Sequence, residues 1–332
     1  MSLHQTLRRG VLAIFVILSA ASPLGAQTPL KSADFTPGSW SLVLLPDTQY
    51  YSLRFPGLFT LQTHWIAKNK DKYDIRYVLG LGDITDQNTE REWRRAKEAI
   101  SELDGRVPYA LASGNHDYTP HGDSASDRSG INKFFPPSSF QKWPTFGGVM
   151  KPGDITNSYH LFRAGKTDWI VLVLQWAPGD AAVKWANDVL AKYPSRKAIL
   201  VTHAYLYEDS TRYDFAKKGK KQDVNPHIYM GKRCNDGEEL WQKLVRKNNF
   251  ALTFNGHVGS HGRGFLVSKN DSGHRVCQMV VDYQIRKLGG EGYLRILEFL
   301  PDGKTVHVKS YSPLYDKYLD DAGNQFSFRL DQ

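Results

Sequence analysis

Several polar residues that can bind metal ions follow predicted strands of this 332-residue chain. Each comes soon after a short β-rich run, and together they are Asp47, Asp83, Asn115, His116, His203 and His257. In open α/β sheets the carboxyl ends of the strands line the crevice where ligands bind, so separate segments can deliver oxygen and imidazole groups to one place. Because gathered carboxylates repel one another, such a site needs a cation to keep them charged. The pattern therefore predicts a metal centre.

Each of these residues, taken singly, has a simpler explanation. An aspartate such as Asp83 often caps a helix, Asn115 beside Gly114 is ordinary turn chemistry, and a lone histidine is usually a packed or surface residue. The prediction of a metal centre rests on the recurrence of such residues at equivalent strand ends. Mixed Asp, Asn and His ligands suit Mn, Fe or Zn, and a carboxylate such as Asp83 can bridge two ions roughly 3.5 to 4 Å apart. Hydrolysis of a phosphate ester is the natural use of such a pair.

The elements that must position these residues form an α/β pattern. Short apolar runs alternate with longer amphipathic segments of helical period. The predicted strands cover 41–45, 75–81, 109–112, 169–174, 198–202 and 251–255. The predicted helices cover 58–72, 89–103, 181–191 and 237–247.

The last hundred residues change character, because predicted strands follow one another there without helices between them. These strands cover 264–267, 275–283, 293–299 and 305–310. A separate β domain fits this pattern, and so does a second sheet packed against the first. No Pro/Ser/Gly-rich linker precedes Gly264, which favours one domain from residue 39 to 332 with two sheets.

The N-terminus predicts export to the periplasm or the medium. Arg8 and Arg9 precede an apolar run, and Leu24-Gly25-Ala26 offers a cleavage site, so we assign residues 1–26 to a signal peptide and 27–38 to an N-terminal extension. A membrane anchor is the alternative, but the run is shorter than the roughly 20 apolar residues that span a bilayer. No later segment comes closer, so we expect no transmembrane segment in the mature chain.

Net charge and cysteine content give only broad indications about binding partners and disulfide bonding. Cleavage would lower the formal net charge from +9 to +7, and a basic surface attracts phosphate-bearing molecules in general. The lysines at 217, 218, 220 and 221 show no interleaved aromatics, so no specific nucleic-acid motif is recognised. Cys234 and Cys277 are the only two cysteines, and in an oxidising compartment we expect them to form a disulfide.

Four motifs together resemble the calcineurin-like metallophosphoesterase superfamily. They are Gly82-Asp83-Ile84-Thr85-Asp86, Gly114-Asn115-His116-Asp117, the strand-end His203, and Asn255-Gly256-His257. The resemblance covers nearly the whole chain from Trp40 onward. It implies two mixed β-sheets packed face to face and flanked by helices, a four-layer αββα sandwich.

The resemblance also implies roles for these residues. Asp83 would bridge two divalent metals, Asn115, His203 and His257 would complete one of them, and Asp47 would help to hold the other. His116 would bind the phosphate or protonate the leaving group, oriented by Asp117.

Two motifs depart from the family pattern, and both lost histidines belong to the same metal. The opening Asp-x-His is Asp47-Thr48-Gln49 here, and the closing Gly-His-x-His is Gly256-His257-Val258-Gly259. Gln49 offers a carbonyl oxygen, so we expect a second site that is weak, exchangeable or filled by a harder ion such as Mn or Mg. Further candidates near the cleft are Asp86, Asn88, Tyr205, His261 and the strand end Asp282-Tyr283-Gln284. For His261 the sequence favours a surface residue in the glycine-rich turn from Gly259 to Gly264, whereas Tyr205 fits a pocket wall and a packing role equally well.

These patterns predict a metal-dependent hydrolase that acts on a small phosphomonoester or phosphodiester through a metal-activated water, with His116 assisting the leaving group. The alternative is a protein of the same fold that binds a phosphorylated ligand without cleaving it. The altered positions Gln49 and Gly259 favour that alternative, whereas the presence of His116 and Asp117 favours catalysis. Neither the substrate nor the oligomeric state can be predicted from these patterns.

Overall fold

The computed structural model describes residues 27–30, 33–122, 128–259 and 262–331. The predicted signal peptide and His261 lie outside the described residues. Within these ranges, no helix is both long enough and apolar enough to cross a membrane.

In the described ranges, fifteen strands form two sheets. In chain order they are β1 (Thr28–Pro29), β2 (Trp40–Leu45), β3 (Ile75–Gly80), β4 (Tyr109–Leu111), β5 (Phe146–Lys151), β6 (Asp154–Ala164), β7 (Thr167–Val173), β8 (Lys197–Val201), β9 (Phe250–Asn255), β10 (Arg263–Lys269), β11 (Arg275–Val281), β12 (Leu294–Phe299), β13 (Thr305–Ser312), β14 (Lys317–Leu319) and β15 (Gln325–Arg329).

The α-helices are α1 (Gln49–Arg54), α2 (Pro56–Lys68), α3 (Glu90–Ser101), α4 (Ile131–Phe134), α5 (Pro137–Phe140), α6 (Asp180–Ala191), α7 (Phe215–Lys218), α8 (Pro226–Met230), α9 (Gly237–Lys243) and α10 (Lys287–Gly290). Short 3-10 turns cover Asn115–Asp117, Pro120–Gly122, Gly219–Lys221, Gly231–Arg233 and Val245–Lys247.

Both sheets are mixed. The first has the order β1-β15-β13-β12-β2-β3-β4, with β14 beside β13, and the second has the order β10-β11-β9-β8-β7-β6-β5. Strands β2, β3 and β4 are parallel neighbours in the first sheet. Strands β7, β8, β9 and β11 are parallel neighbours in the second. The strands that precede the candidate ligands therefore all lie in the parallel part of their sheet.

Three apolar layers hold the sheets and helices together. Strand β2 shows why, since Leu42 and Leu44 pack between the two sheets while Val43 and Leu45 pack under the helices of the first sheet. Alternate residues of a strand point to opposite faces, so a strand covered on both sides is apolar throughout. A third layer lies between the second sheet and α6 and α9. The predicted fold of two face-to-face sheets with outer helices is confirmed.

Helix α3 begins where its sequence predicts. Thr89 accepts a hydrogen bond from the backbone N–H of Glu92, and the Glu92 carboxylate accepts one from the backbone N–H of Thr89. This capping box satisfies N–H groups that no helical carbonyl reaches. It starts the helix soon after the loop that carries Asp83 and so limits the freedom of that loop.

The hairpin of β5 and β6 was not predicted. Strand β6 carries Thr156, Asn157, Ser158 and His160, whose polar side chains interrupt the apolar pattern although all of them are buried. Burial of polar side chains depends on partners from other segments, such as Gln175, whose amide bonds with that of Asn157. The Pro152-Gly153 turn between the strands was the available signal.

The predicted disulfide is wrong, because Cys234 and Cys277 are both free. Cys277 lies in the layer between the two sheets, whereas Cys234 lies in the layer between the second sheet and its outer helices. The second sheet separates the two sulfur atoms. Burial raises the pKa of each thiol to about 12.

Candidate metal centre and active site

The five predicted metal ligands from the strand ends of both sheets are all buried. Asp47 follows β2, Asp83 follows β3, and Asn115 follows β4 in the first sheet, while His203 follows β8 and His257 follows β9 in the second. Their exposed fractions are 1%, 2%, 3%, 0% and 6%, respectively. Polar groups buried to this extent require partners or a bound ion.

The ligand atoms of Asp83, His203 and His257 lie within 4.8 Å of one another. His203 Nε2 is 3.2 Å from Asp83 Oδ2 and 3.2 Å from His257 Nδ1. The other nitrogen of each ring faces a backbone carbonyl, with His203 Nδ1 at 2.8 Å from Leu81 O and His257 Nε2 at 2.7 Å from Val224 O. A carbonyl only accepts, so these outer nitrogens carry the protons. Both inner nitrogens then present lone pairs toward a carboxylate, which is the donor set of a cation.

Asn115 adds a buried amide oxygen to these ligands. Its amide Nδ2 donates to the carbonyl of Gly122 at 3.0 Å, which determines how the amide group is oriented. Its Oδ1 is buried and has no partner among the residues that the structure describes. A buried amide oxygen left without a donor costs free energy unless something positive meets it. Asn115 Oδ1 therefore fits the role of a further metal ligand.

Strained backbone brings these side chains inward. Asp47, Asp83 and His257 have φ values of 28°, 47° and 74°, in the left-handed region that L-residues seldom adopt. Such strain clusters at functional sites, where the surrounding structure holds it in place. All three carry predicted ligands, so their backbone conformation serves the position of their side chains.

The motif glycines allow the strand ends to approach each other closely. A Cβ at Gly82 would collide with the His203 ring, one at Gly114 with the Asp83 carboxylate, and one at Gly256 with the Asp47 carboxylate. No side chain larger than hydrogen fits at these points without moving a predicted ligand. The glycines are therefore required by the site and not only by the turns in which they lie.

The charges of the site favour a bound cation. Burial opposes ionisation of Asp83, but His203 and His116 outweigh it and hold the pKa of Asp83 at about 2. Burial opposes protonation of His203, but the Asp83 charge outweighs it and raises the pKa of this ring. Burial and His203 lower the pKa of His257 to about 3, so this ring is a neutral donor.

Trp176, which was not predicted as a site residue, packs against both metal-site imidazoles. Its ring is 5.6 Å from that of His203 and 4.8 Å from that of His257, measured between centroids. The residue is buried and lies soon after β7. It restricts the rotation of the two rings, and no feature of the sequence around it signals this contact.

A family model of the calcineurin-like phosphoesterases matches residues 43–260 of the chain. The chain belongs to the calcineurin-like phosphoesterase family. It is also 34% identical over 302 residues to the uncharacterized protein YvnB of Bacillus subtilis (strain 168). That match covers 88% of this chain and 21% of YvnB, so the chain spans about a fifth of the length of this curated relative.

Two solved structures share the fold at low sequence identity. Purple acid phosphatase PPD1 from yellow lupin (Lupinus luteus) seeds is 13% identical with a TM-score of 0.53, and the match covers 89% of this chain and 54% of that one. A dimetal phosphatase from Danio rerio (LOC 393393) is 13% identical with a TM-score of 0.53, covering 88% of this chain and 99% of that one. These matches agree with the four-layer calcineurin-like phosphoesterase fold.

The phosphoesterase motif residue His116 is held by Asp83 and Asp86. Its backbone N–H donates to Asp83 Oδ1 at 3.0 Å. Its ring Nδ1 lies 2.8 Å from the backbone carbonyl of Asp86 and 3.6 Å from the Asp86 carboxylate. Burial opposes protonation of this ring, but Asp83 and the Asp86 carbonyl outweigh it and raise its pKa. The Asp86 contacts leave Nε2 as the nitrogen available for a ligand.

Asp117 does not orient His116, contrary to the expectation from the family resemblance. Its Oδ2 accepts hydrogen bonds from the backbone N–H groups of Ile84 and Gly114, at 3.1 and 2.9 Å. Its Oδ1 accepts from the backbone and the hydroxyl of Thr85, at 2.8 and 2.9 Å. Burial and the Asp83 charge raise the pKa of Asp117 to about 6. This carboxylate holds the Asp83 loop against the Asn115 loop, and Asp86 takes the orienting role.

Replacing Asp117 by alanine is expected to lower the free energy of unfolding by about 2–4 kcal/mol, because three buried N–H groups would lose their acceptor. Urea denaturation at neutral pH measures the change. Asp302→Ala is the matched control, since Asp302 also accepts from two backbone N–H groups and a hydroxyl, but in an exposed turn. Equal losses in the two variants would contradict the role assigned to Asp117.

The remaining candidates fall into different places. Gln49 is buried at the site, and its amide donates to the Asp86 carboxylate at 3.4 Å. Asn88 bonds to Tyr118, Arg128, Trp93 and Gly130, so it holds a loop rather than facing the metal ligands. Tyr205 is fully buried in the outer layer of the second sheet and donates to Gln278, so it is a packing residue. Trp93 is also buried among apolar residues.

A cavity of about 320 Å³ opens at the phosphoesterase strand ends. Its described lining residues include Asp83, Asn115, His116 and His257, together with Tyr50, Tyr207, Tyr229 and Ile285 at the walls. No lysine or arginine is among those described lining residues. This volume suits a small molecule, and the walls offer apolar and aromatic contacts.

The lysine-rich segment lies apart from this cavity. Lys217 pairs with Asp214 at 3.3 Å, and Lys218 pairs with Asp209 at 2.9 Å. Among the described residues that line the cavity, the segment contributes none. The four lysines are therefore a solvated surface rather than part of the phosphoesterase cleft.

A second cluster of potential ligands, His227, Asp236 and Glu239, is explained by hydrogen bonding within the fold. Asp236 and Glu239 form the capping box of α9, and Glu239 also bonds to His227 at 2.7 Å. Asp236 accepts a further hydrogen bond from the backbone of Phe215 at 2.7 Å. The adjoining depression of about 500 Å³ is larger than the cleft but contains no strand-end residue of the phosphoesterase motifs.

Proposed function

We propose that the chain hydrolyses phosphate esters of small organic molecules in a metal-dependent reaction. One observation carries the proposal. Asp83, His203 and His257 bring three acceptor atoms within 4.8 Å of one another in a buried position, while backbone carbonyls occupy the outer nitrogens of both rings. Membership of the calcineurin-like phosphoesterase family supports the same activity.

Asp83, Asn115, His203 and His257 would hold the first ion. A divalent cation in this position supplies charge for a phosphoryl oxygen and lowers the pKa of water. The donor set of one carboxylate, one amide oxygen and two imidazoles suits Mn, Fe or Zn.

The residues of the chain itself would bind and orient the ester and move one proton. The oxygen of a water forms a bond to phosphorus while the bond from phosphorus to the leaving oxygen breaks. His116, whose ring lies in the cavity wall, would in its doubly protonated form give the proton on Nε2 to the leaving oxygen. The attacking water would release one proton to the solvent, from which His116 is protonated again. Asp86 keeps the His116 ring in place through its carbonyl.

The lining of the cavity favours esters that carry one phosphate and an apolar or aromatic group. Tyr50, Tyr207, Tyr229 and Ile285 provide contact surface, whereas the described lining has no lysine or arginine to neutralise a polyphosphate or a nucleic acid backbone. Mono- and diesters both fit this description.

The test is a screen of 4-nitrophenyl phosphate, bis(4-nitrophenyl) phosphate and a cyclic nucleotide, each with Mn, Zn and Fe added to chelator-treated protein. We expect turnover of at least one aryl ester that depends on added metal. Metal content is measured on the same samples. Protein that binds metal but turns over none of the esters would contradict hydrolysis and favour a protein that only binds a phosphorylated ligand.

We also propose that the chain is exported, on the basis of the N-terminal sequence alone. Mass spectrometry of protein recovered from the periplasm and the medium would find a mature N-terminus at residue 27. Recovery of the uncleaved chain from the cytosol would overturn this proposal.

A further inference from the structure

The side of the cleft that lacks the family histidines carries oxygen atoms instead. Gln49 stands in place of one histidine, and its side chain is 2% exposed. Its amide nitrogen donates to Asp86, and its buried Oε1 has no hydrogen-bond partner within the residues that the structure describes. Gly259, in place of the other histidine, has no side chain to contribute.

Asp282 lies on this side and belongs to none of the family motifs. It follows β11 directly, and β11 is the parallel neighbour of β9, which precedes His257. Its carboxyl group is buried, with Oδ1 accepting from the backbone N–H of Gln284 at 2.7 Å and Oδ2 without a partner among the described residues. The parallel pairing of β9 and β11 therefore delivers a carboxylate to the same edge as the metal-site histidine.

The Asp282 carboxyl group contacts that of Asp47. Asp47 Oδ2 accepts from the backbone of His257 at 2.8 Å, and its Oδ1 has no hydrogen-bond partner in the described parts of the chain. Asp47 Oδ1 lies 3.5 Å from His203 Nδ1, and neither carboxyl group forms an ion pair with a described lysine or arginine. Two buried carboxylates in contact need a positive charge between them.

We propose that Asp47, Asp83, Asp282 and the amide oxygen of Gln49 form a second cation site made only of oxygen donors. Asp282 takes the place of the missing imidazoles, and Asp83 is shared with the first site. The inference rests on the proposed function in one respect, namely that the strand ends bind divalent metal.

The donor set determines which ions this site accepts. Three carboxylates and an amide oxygen favour hard cations such as Mn²⁺ or Mg²⁺, whereas imidazole nitrogens at the first site favour softer ions such as Zn²⁺. The two sites should therefore be loaded selectively, with Zn²⁺ at the histidines and Mn²⁺ at Asp282. This differs from a site that is merely weakened by the loss of two ligands.

The test is a titration of chelator-treated full chain with Mn²⁺, followed by calorimetry and electron paramagnetic resonance. The wild-type chain should bind two ions and show the spectrum of a coupled pair. Asp282→Asn should bind the first ion with an affinity within about threefold of the wild type. It should bind the second ion at least about 30-fold more weakly and show the spectrum of isolated Mn²⁺. The expected loss corresponds to removal of a charged ligand.

Asp223→Asn is the matched control, because Asp223 also lies on the cavity wall but bonds to Tyr207 at 2.6 Å. It should still bind two ions. Gln49→Glu adds a carboxylate at the same site and should tighten the second ion about tenfold, which a destabilised fold cannot do. Gln49→Glu therefore tests the second cation site even if Asp282→Asn fails to fold.

Any of three results would overturn the proposal. They are binding of two coupled ions by Asp282→Asn, binding of only one ion by the wild type, and no increase in affinity for the second ion in Gln49→Glu. Failure of the proposed function gives a different result. In that case binding of the second ion still requires Asp282, but none of the esters is hydrolysed.

Discussion

Replacement of His203 by alanine is expected to abolish tight metal binding and turnover together. His203 Nε2 lies between Asp83 and His257, at 3.2 Å from each, so its loss removes a ligand from the centre of the site. Loss of residues that only support metal ligands already costs about 10–100-fold in affinity, and loss of a ligand itself should exceed this range. We expect at least about 10³-fold weaker binding of Zn²⁺ or Mn²⁺ at the first site.

The measurement is calorimetric titration of the metal combined with hydrolysis of an aryl phosphate. His160→Ala is the matched control, because His160 is equally buried but packs against Tyr77, Phe140 and Phe146, away from the strand-end ligands. It should lose stability and keep its metal. Retained activity in His203→Ala would count against the metal centre and against the proposed function.

Replacement of His116 by alanine is expected to lower kcat by about 10²- to 10⁴-fold while both metal ions stay bound. The ring lies in the cavity wall, and its backbone N–H rather than its side chain contacts Asp83. Alanine keeps that backbone hydrogen bond. The metal ligands therefore keep their positions while the group that meets the leaving oxygen is removed.

The decisive comparison for His116→Ala uses two substrates. If His116 protonates the leaving oxygen, the loss in kcat should be small for a 4-nitrophenyl ester, whose leaving group needs no proton, and large for an alkyl ester. A uniform loss for both substrates, with a raised KM, would instead mean that His116 only binds the phosphate. Metal analysis of the variant excludes loss of the ions as the cause.

The proposed first metal site could be predicted from the sequence because its candidate ligands are marked by local motifs. Asp83, Asn115 and His257 each follow a β-rich run and stand beside a glycine or in a short motif, so their place at a strand end can be inferred without the tertiary structure. The glycines Gly82, Gly114 and Gly256 belong to the same motifs, and the structure shows the close contacts that require them.

The contact partners of individual side chains could not be predicted from the sequence. Asp117 stands next to His116 in the sequence, yet its carboxylate points to Ile84, Thr85 and Gly114, and Asp86 holds the ring. Neighbouring residues in a 3-10 turn point in different directions, so adjacency along the chain does not predict contact. The disulfide prediction was wrong for a related reason, since composition alone does not show that a sheet lies between the two cysteines.

The sequence by itself determined the class of fold, the strand ends that carry ligands and the chemistry those ligands suit, because periodicity and residue type are local properties. Only the tertiary structure decided that Asp282 reaches Asp47, that Trp176 packs against both histidines, and that Cys234 and Cys277 are apart. These contacts depend on strand order, such as β11 lying next to β9. Strand order follows from how whole layers pack, which no local stretch of residues encodes.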